Sequence, residues 1–146
     1  ELIDTVRQLT TVGIPVVGHL GLTPQSVHQL GGYRLQGRDS AQASAIQSQA
    51  EALERAGCCA LVLEKVPARL AAMIAQQLSI PVIGIGAGAD VDGQVLVSQD
   101  MLGMEESFSP KFLRRFGAVG AAIRQATSDY ITAVKERSFP TIDESY

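Results

Sequence analysis

Continuous apolar runs alternate with helix-like segments along the first part of the chain. The runs cover residues 14–17, 59–63 and 81–85. Runs without alternating polar positions are typical of strands in parallel sheets, which are covered on both faces. Because helical patterns separate the runs, the order β-α-β-α-β predicts an α/β fold built on a parallel sheet.

Three helices are predicted before and between these runs. Asp39 or Ser40 can cap the second helix and Gly57 can end it, while Pro67 suits the first turn of the third, where its missing N–H has no partner. Apolar residues at helical spacing mark the side of each helix that we expect to be buried. They are Leu2, Ile3, Val6 and Leu9 in the first helix, which stops at Gly13; Ile46, Ala50 and Leu53 in the second; and Leu70, Ala71, Ile74 and Leu78 in the third.

The remainder of the chain is less regular. The pattern of residues 94–97 predicts a short fourth strand. That of residues 110 to about 137 predicts a helix interrupted near Gly117 and Gly120. The tail from Ser138 onward has no strong periodicity. No domain boundary is evident, so we expect residues 1–146 to form a single unit whose four parallel strands leave two open sheet edges.

Composition excludes several classes of function. The formal charge is −3 and the 12 Lys and Arg residues are scattered, which argues against nucleic-acid binding. No apolar run approaches the roughly 20 residues needed to cross a bilayer. Cys58 and Cys59 are adjacent, a spacing that suits neither a disulfide staple nor metal ligation. These features predict a soluble cytoplasmic protein.

Glu64 is the strongest candidate for a catalytic residue. In parallel βα folds the ligand site lies beyond the carboxyl ends of the strands, and Glu64 follows the apolar residues Leu61, Val62 and Leu63 directly. Partial loss of water there would favour proton uptake and suit a general base. The alternative is a structural ion pair with Lys65 or Arg69 at a helix start, and spacing alone leaves both open.

His19 stands at the end of the first strand and opens a loop of about twenty residues, a length that is usually functional. It could orient a carboxylate or a carbonyl oxygen. The alternative is a histidine that only hydrogen-bonds the loop backbone. His28, expected in a short helix after Thr23-Pro24, has a weaker claim.

A glycine-rich turn follows the third strand. Gly86 and Gly88 let backbone approach a ligand closely, yet tight packing at the strand end explains them equally well. Asp90 and Asp92 could hold a divalent cation, although acids beside a glycine more often form a solvated turn.

The motifs GHLGLTPQSV, GGYRLQGR, LVLEKVP, IPVIGIGAG and DGQVLV occur in that order, followed by PKF and the Phe139-Pro140 tail. Together they closely resemble the second half of ketopantoate hydroxymethyltransferases, also called 3-methyl-2-oxobutanoate hydroxymethyltransferases. The resemblance implies the C-terminal half, roughly strands five to eight, of a (βα)8 TIM barrel of the phosphoenolpyruvate/pyruvate superfamily type. It implies transfer of a hydroxymethyl group from methylene-tetrahydrofolate to α-ketoisovalerate, which gives ketopantoate for pantothenate and coenzyme A synthesis.

The resemblance also implies roles for particular residues. Glu64 would be the catalytic base, and His19 would lie near the substrate. From the glycine-rich turn itself we expect Gly86 and Gly88 to contact the substrate as well. The family's metal is Mg²⁺, but its acidic ligands and a substrate-contacting lysine belong to the first half, in motifs of the GDS, ADLPF and VKIEGG kind. None of these occurs here. We therefore expect no metal ligand in this chain, an N-terminal barrel half as partner, a homo-oligomer, and no activity of the isolated segment.

Two other functions remain open at the level of sequence. One is a carbon–carbon lyase of the same superfamily, which would need a reactive cysteine in an active-site loop, whereas Cys58 and Cys59 precede a strand. The other is a non-enzymatic anion-binding or assembly module that uses the turn at Gly86 and Gly88.

Overall fold

The computed structural model describes residues 2–105 and 107–146. Contacts divide the chain into two compact units, one up to Val95 and one from Leu96 to Tyr146. The expectation of a single unit over residues 1–146 stays a prediction, and each unit is described by itself.

The first unit is a parallel sheet flanked by helices. Its four strands lie in the order β1-β2-β3-β4, and each neighbouring pair is parallel. The predicted α/β class is therefore confirmed. The elements are α1 (Leu2–Thr11), β1 (Val17–Gly21), a 3-10 turn (Pro24–Ser26), α2 (Ser40–Arg55), β2 (Ala60–Glu64), α3 (Ala68–Gln77), β3 (Val82–Ile85) and β4 (Gly93–Gln94).

The ends of α2 follow from local chemistry. The Asp39 side chain accepts a hydrogen bond from the Gln42 N–H at 2.9 Å, which satisfies one of the free donors at the helix start. At the other end Gly57 adopts a φ of +95°, which glycine tolerates better than any other residue. Both predicted signals are confirmed, as are the buried positions Ile46, Ala50 and Leu53.

The first strand lies later in the chain than predicted. The sequence placed it at residues 14–17, whereas β1 covers Val17–Gly21 and includes Gly18 and His19. Pro15 has no N–H to donate to a sheet ladder. Pairing with β2 instead runs from Val17 opposite Ala60 to Gly21 opposite Glu64. His19 is therefore a strand residue and not the first residue of a loop.

The fourth strand is shorter and earlier than predicted. Residues 94–97 were expected, but only Gly93 and Gln94 pair with β3. The reason is that β3 ends at Ile85 and Gly86 turns away with a φ of +62°. Val95 still donates its N–H to the Gly84 carbonyl at 3.0 Å, but the strand pairing does not extend beyond Gln94.

The two faces of the sheet differ in burial although both are largely apolar. Leu61, Leu63 and Val82 point to one face, are fully buried, and belong to a core formed with α2 and α3. Residues of the other face, such as Val62 and Ile83, are only half-buried. Within this unit the sheet is thus covered on one face, whereas the apolar runs predicted cover on both.

The second unit contains α4 (Ser98–Met101), α5 (Val119–Lys135) and a 3-10 turn (Ile142–Glu144). The prediction of a helix from residue 110 was wrong for residues 110–118. The N–H groups of Phe116, Val119 and Gly120 donate to carbonyls of residues 101–103 and not to the preceding helical turn. Around the end of α5, the rings of Tyr130 and Phe139 meet edge to face at 5.7 Å. Among the described residues, no helix combines the length and apolarity that a membrane span requires.

The two cysteines are free thiols in different surroundings, Cys58 being buried and Cys59 exposed. Burial raises the pKa of the Cys58 thiol, and the neighbouring Cys59 raises it further, while a hydrogen bond with the Gly18 backbone acts in the opposite direction. Both residues precede β2, at the opposite end of that strand from Glu64.

The unequal burial of the two faces predicts unequal mutational costs on one strand. We expect Leu61→Ala to lower the free energy of unfolding by about 2–5 kcal/mol, because it leaves a cavity in a fully buried site. Val62→Ala, the matched change on the open face, should cost about 1 kcal/mol or less. Guanidinium unfolding followed by circular dichroism measures both, and equal costs would contradict the burial described here.

Candidate active site

His19 and Glu64 meet at the carboxyl-end edge of the sheet. His19 lies opposite Val62 in the β1–β2 register, and Glu64 is two residues beyond Val62, so both side chains project from the same face. The His19 Nε2 lies 3.1 Å from the Glu64 Oε2. The side chains are 32% and 20% exposed, so the pair is partly sheltered yet reachable from solvent.

The charge of Glu64 determines which of the two groups donates this hydrogen bond. An ionised carboxylate only accepts hydrogen bonds, so with Glu64 ionised the His19 Nε2 carries the hydrogen and donates it to Oε2. Within the described part of the chain, no other hydrogen bond to the Glu64 carboxylate is found. The second oxygen, Oε1, is therefore free to take a proton from a ligand.

The backbone of Glu64 is fixed from both sides. Its carbonyl oxygen accepts a hydrogen bond from the Leu22 N–H at 2.8 Å, which ties it to the segment after β1. The next N–H, that of Lys65, donates to the Ile85 carbonyl at 2.8 Å and ties it to β3. The backbone that carries the carboxylate is therefore fixed, and the His19 contact orients the carboxylate itself, as a general base requires.

Lys65 does not pair with Glu64. Its Nζ donates instead to the Tyr33 carbonyl oxygen, and its own carbonyl accepts from the Gln36 N–H at 3.0 Å. Its φ of +51° is unusual for a residue with a side chain. Across residues 2–105 and 107–146, the only ion-pair partner of Glu64 is His19, so the alternative ion pair with Lys65 or Arg69 is not formed.

Gly21 is a site residue that the sequence reasoning missed. It has a φ of +88°, and a Cβ built on it would lie 2.1 Å from the Glu64 carbonyl oxygen. Only glycine permits the chain after β1 to cross so close to the end of β2. The signal available in the sequence was the glycine directly after His19-Leu20.

The other predicted candidates lie elsewhere. Gly86 and Gly88 follow β3 with φ values of +62° and +87°, and a Cβ on Gly88 would lie 2.4 Å from the Ala68 Cβ. Close packing against α3 thus explains Gly88, while ligand contact by either glycine stays a prediction. His28 is exposed in the turns that follow the 3-10 segment and does not contact the His19–Glu64 pair.

Of the two acidic residues after β3, only Asp92 hydrogen-bonds the backbone in the described part of the chain. The Asp92 Oδ2 accepts a hydrogen bond from the Val82 N–H at 2.8 Å, while Asp90 is exposed. Among the described residues, no group of three or more His, Cys, Asp or Glu side chains is arranged to hold a metal ion.

Two neighbouring cavities open near the pair. The first is lined by His19, by polar residues such as Thr23, Gln36 and Gln42, and by apolar side chains of α1 and α2. The second is lined by Arg34, Leu35, Arg38, Asp39 and Gln42. Gln42 lines both, so the two cavities are adjacent.

Comparison with known proteins gives a consistent result. The profile of the family described as Ketopantoate hydroxymethyltransferase matches residues 1–142. Proteins named 3-methyl-2-oxobutanoate hydroxymethyltransferase are similar to this chain over all or nearly all of its length. That of Anaeromyxobacter sp. (strain Fw109-5) is 52% identical over 100% of this chain and 48% of its own length. That of Bacteroides fragilis is 53% identical over 100% and 54%, and that of Methylobacillus flagellatus is 56% identical over 99% and 55%.

The chain spans about half the length of these relatives and matches their C-terminal half. Four parallel strands with helices are consistent with half of an eight-stranded barrel.

The close approach at Gly21 gives a direct test. Gly21→Ala should lower the free energy of unfolding by roughly 1–2 kcal/mol for the positive φ, and by at least about 1 kcal/mol more for the contact with the Glu64 carbonyl. Gly32→Ala is the matched control, because its φ is +96° but nothing lies within 4 Å of the added Cβ. Similar losses in the two variants, compared by denaturant unfolding, would show that the crossing does not constrain the chain.

Proposed function

This chain belongs to the ketopantoate hydroxymethyltransferase family, and we propose that it supplies the catalytic base for hydroxymethyl transfer from methylene-tetrahydrofolate to α-ketoisovalerate. The product is ketopantoate, a precursor in pantothenate biosynthesis. The observation that carries the proposal is the contact of His19 with Glu64 at the carboxyl-end edge of the sheet, with one carboxylate oxygen free.

Glu64 acts on the carbon next to the keto group. Its Oε1 removes the proton from that carbon, and the resulting carbanion, delocalised onto the carbonyl oxygen, attacks the one-carbon unit of the folate. In the net reaction a carbon–carbon bond forms, and both bonds from the methylene carbon to the two folate nitrogens break. Water supplies the hydroxyl group, and its remaining proton and the proton taken up by Glu64 end on those two nitrogens. Proton abstraction by a positioned carboxylate contributes about 10²–10⁴-fold to such a reaction.

His19 orients the base and, in this proposal, contacts the substrate. Its Nε2–H holds Oε2 of Glu64, so Oε1 is the oxygen directed at the substrate. The ring is about one-third exposed, which leaves part of it accessible to a bound keto acid. The backbone around Gly86 and Gly88, at the end of β3, is proposed to approach the same ligand.

The described residues do not form a site for the Mg²⁺ that the family resemblance implies. Mg²⁺ requires octahedral oxygen coordination, whereas the Glu64 carboxylate is already hydrogen-bonded to His19 and the described residues form no cluster of three possible ligands. We propose that the Mg²⁺ ligands lie on the N-terminal half of a complete enzyme.

The half-buried face of the sheet supports the proposal that the N-terminal half of the barrel is required. Val62, Ile83 and the exposed Val17 lie on the same face as His19 and Glu64. Four further strands would close the barrel, cover these apolar side chains and remove the free sheet edges. A homo-oligomer and a cytoplasmic location complete the proposal, the latter in keeping with two free thiols.

The other functions are less well supported. A lyase would need a cysteine near Glu64, but Cys58 and Cys59 lie at the other end of β2. A non-enzymatic anion-binding module would rest on the turn at Gly88, whose conformation close packing against Ala68 already explains.

We expect the isolated segment to be inactive. Neither exchange of the α-ketoisovalerate C–H proton with solvent nor ketopantoate formation should be detectable with this chain alone. Adding the N-terminal half of a relative, with Mg²⁺, should restore both, because the closed barrel shelters Glu64. Proton NMR in D₂O measures the exchange, and full activity of the segment alone would refute the need for a partner half.

Glu64→Gln should slow the exchange by about 10²–10⁴-fold in a complete enzyme that contains this segment, because the amide cannot take up the proton. Mg²⁺ binding, followed by calorimetry, should change little. Glu51→Gln is the matched control, since Glu51 pairs with Arg55 and with Gln77 of α3 and does not contact the His19–Glu64 pair. Exchange at the unaltered rate in Glu64→Gln would remove Glu64 from its proposed role.

A further inference from the structure

Two arginines line one cavity on the same rim as the His19–Glu64 pair. Arg34 and Arg38 are both exposed, and each lies two residues from Gln36. In the described ranges, neither guanidinium forms an ion pair. Two unpaired, permanently charged groups facing one cavity are suited to bind an anion.

The segment that carries these arginines is anchored to the residue after the proposed base. The Gln36 N–H donates to the Lys65 carbonyl, and the Gln36 Nε2 donates to the Arg34 carbonyl, both at 3.0 Å. Gly37 is buried, and a Cβ built on it would lie 2.8 Å from the Leu70 side chain. The backbone beside both arginines is therefore held at a fixed place relative to Glu64.

The charge balance of the cavity favours a negative ligand. Asp39 is the one acidic residue in its lining, and its Oδ1 is occupied by the hydrogen bond from the Gln42 N–H. Two positive side chains thus face one carboxylate that already caps α2. The start of this 16-residue helix adds partial positive charge at the same place.

We propose that Arg34 and Arg38 bind the carboxylates of the glutamate tail of the folate co-substrate. The inference rests on the proposed function, which makes methylene-tetrahydrofolate the one-carbon donor. In that molecule the reactive one-carbon unit lies at the pterin end, and an aminobenzoyl group separates it from the carboxylates. The anionic end must therefore bind away from Glu64 but on the same rim, as the cavity next to that of His19 allows. The forked guanidinium matches a carboxylate in shape and charge.

The test uses a complete enzyme containing this segment and its Arg34→Gln, Arg38→Gln and doubly substituted variants. Each is assayed with methylene-tetrahydrofolate carrying one or three glutamates, and with methylene-tetrahydropteroate, which has none. Arg55→Gln is the matched control, because Arg55 lies at the far end of α2 and pairs with Glu51.

Each single substitution should raise KM for the glutamylated co-substrates by about three- to tenfold, and the double substitution by more, as expected for partly exposed charge pairs. KM for the glutamate-free compound should differ far less between the variants and the unaltered enzyme. The unaltered enzyme should bind the glutamylated forms more tightly, and added salt should reduce that advantage.

Three outcomes would overturn the assignment. These are an unchanged KM for the glutamylated forms, an equal rise for the glutamate-free compound, or a rise in KM for α-ketoisovalerate instead. The last would place the keto acid's own carboxylate at these arginines. Failure of the proposed function is distinguished separately, because the unaltered complete enzyme would then not exchange the α-ketoisovalerate proton.

Discussion

Backbone hydrogen bonds on both sides of β2 are the constraint on which the candidate site depends. Leu22 binds the Glu64 carbonyl from one side, and the Lys65 N–H binds Ile85 on the other. In a parallel sheet these contacts also set the register, and a shift of one residue would turn the Glu64 side chain into the core among Leu61 and Leu63. The position of the carboxylate beside His19 is thus a property of the strand pairing.

Successive side chains of β2 point to opposite faces of the sheet, so the residues that stabilise the core and the residues of the candidate site lie on different faces. One face of β2 carries Leu61 and Leu63 into the core, and the other carries Val62 and Glu64 to the open side. Apolar residues on a half-buried face are costly to leave in water, at about 25 cal/mol for each Å². The side that holds the ionisable pair is therefore also the side where further covering strands would gain most, which joins completion of the fold to completion of the site.

Local signals in the sequence predicted the elements whose ends depend on local chemistry. The cap at Asp39 and the end of α2 near Gly57 are examples. The sequence also placed His19 and Glu64 at strand ends, but it could not predict their contact, because the β1–β2 register joins residues 45 positions apart. The helix predicted from residue 110 failed for a related reason, since the Phe116 N–H, which would lie within it, donates to the distant Met101 carbonyl.

Lys65 shows why part of the site is invisible to pattern reasoning. A positive φ at a residue with a side chain costs about 1–2 kcal/mol, and nothing in the letters LVLEKVP signals it. The conformation persists because the backbone N–H of Lys65 reaches Ile85, its carbonyl reaches Gln36 and its Nζ reaches Tyr33. Several hydrogen bonds of about 1 kcal/mol each offset that cost. Through these bonds Lys65 joins the segment that carries Arg34 and Arg38 to the strand that carries Glu64.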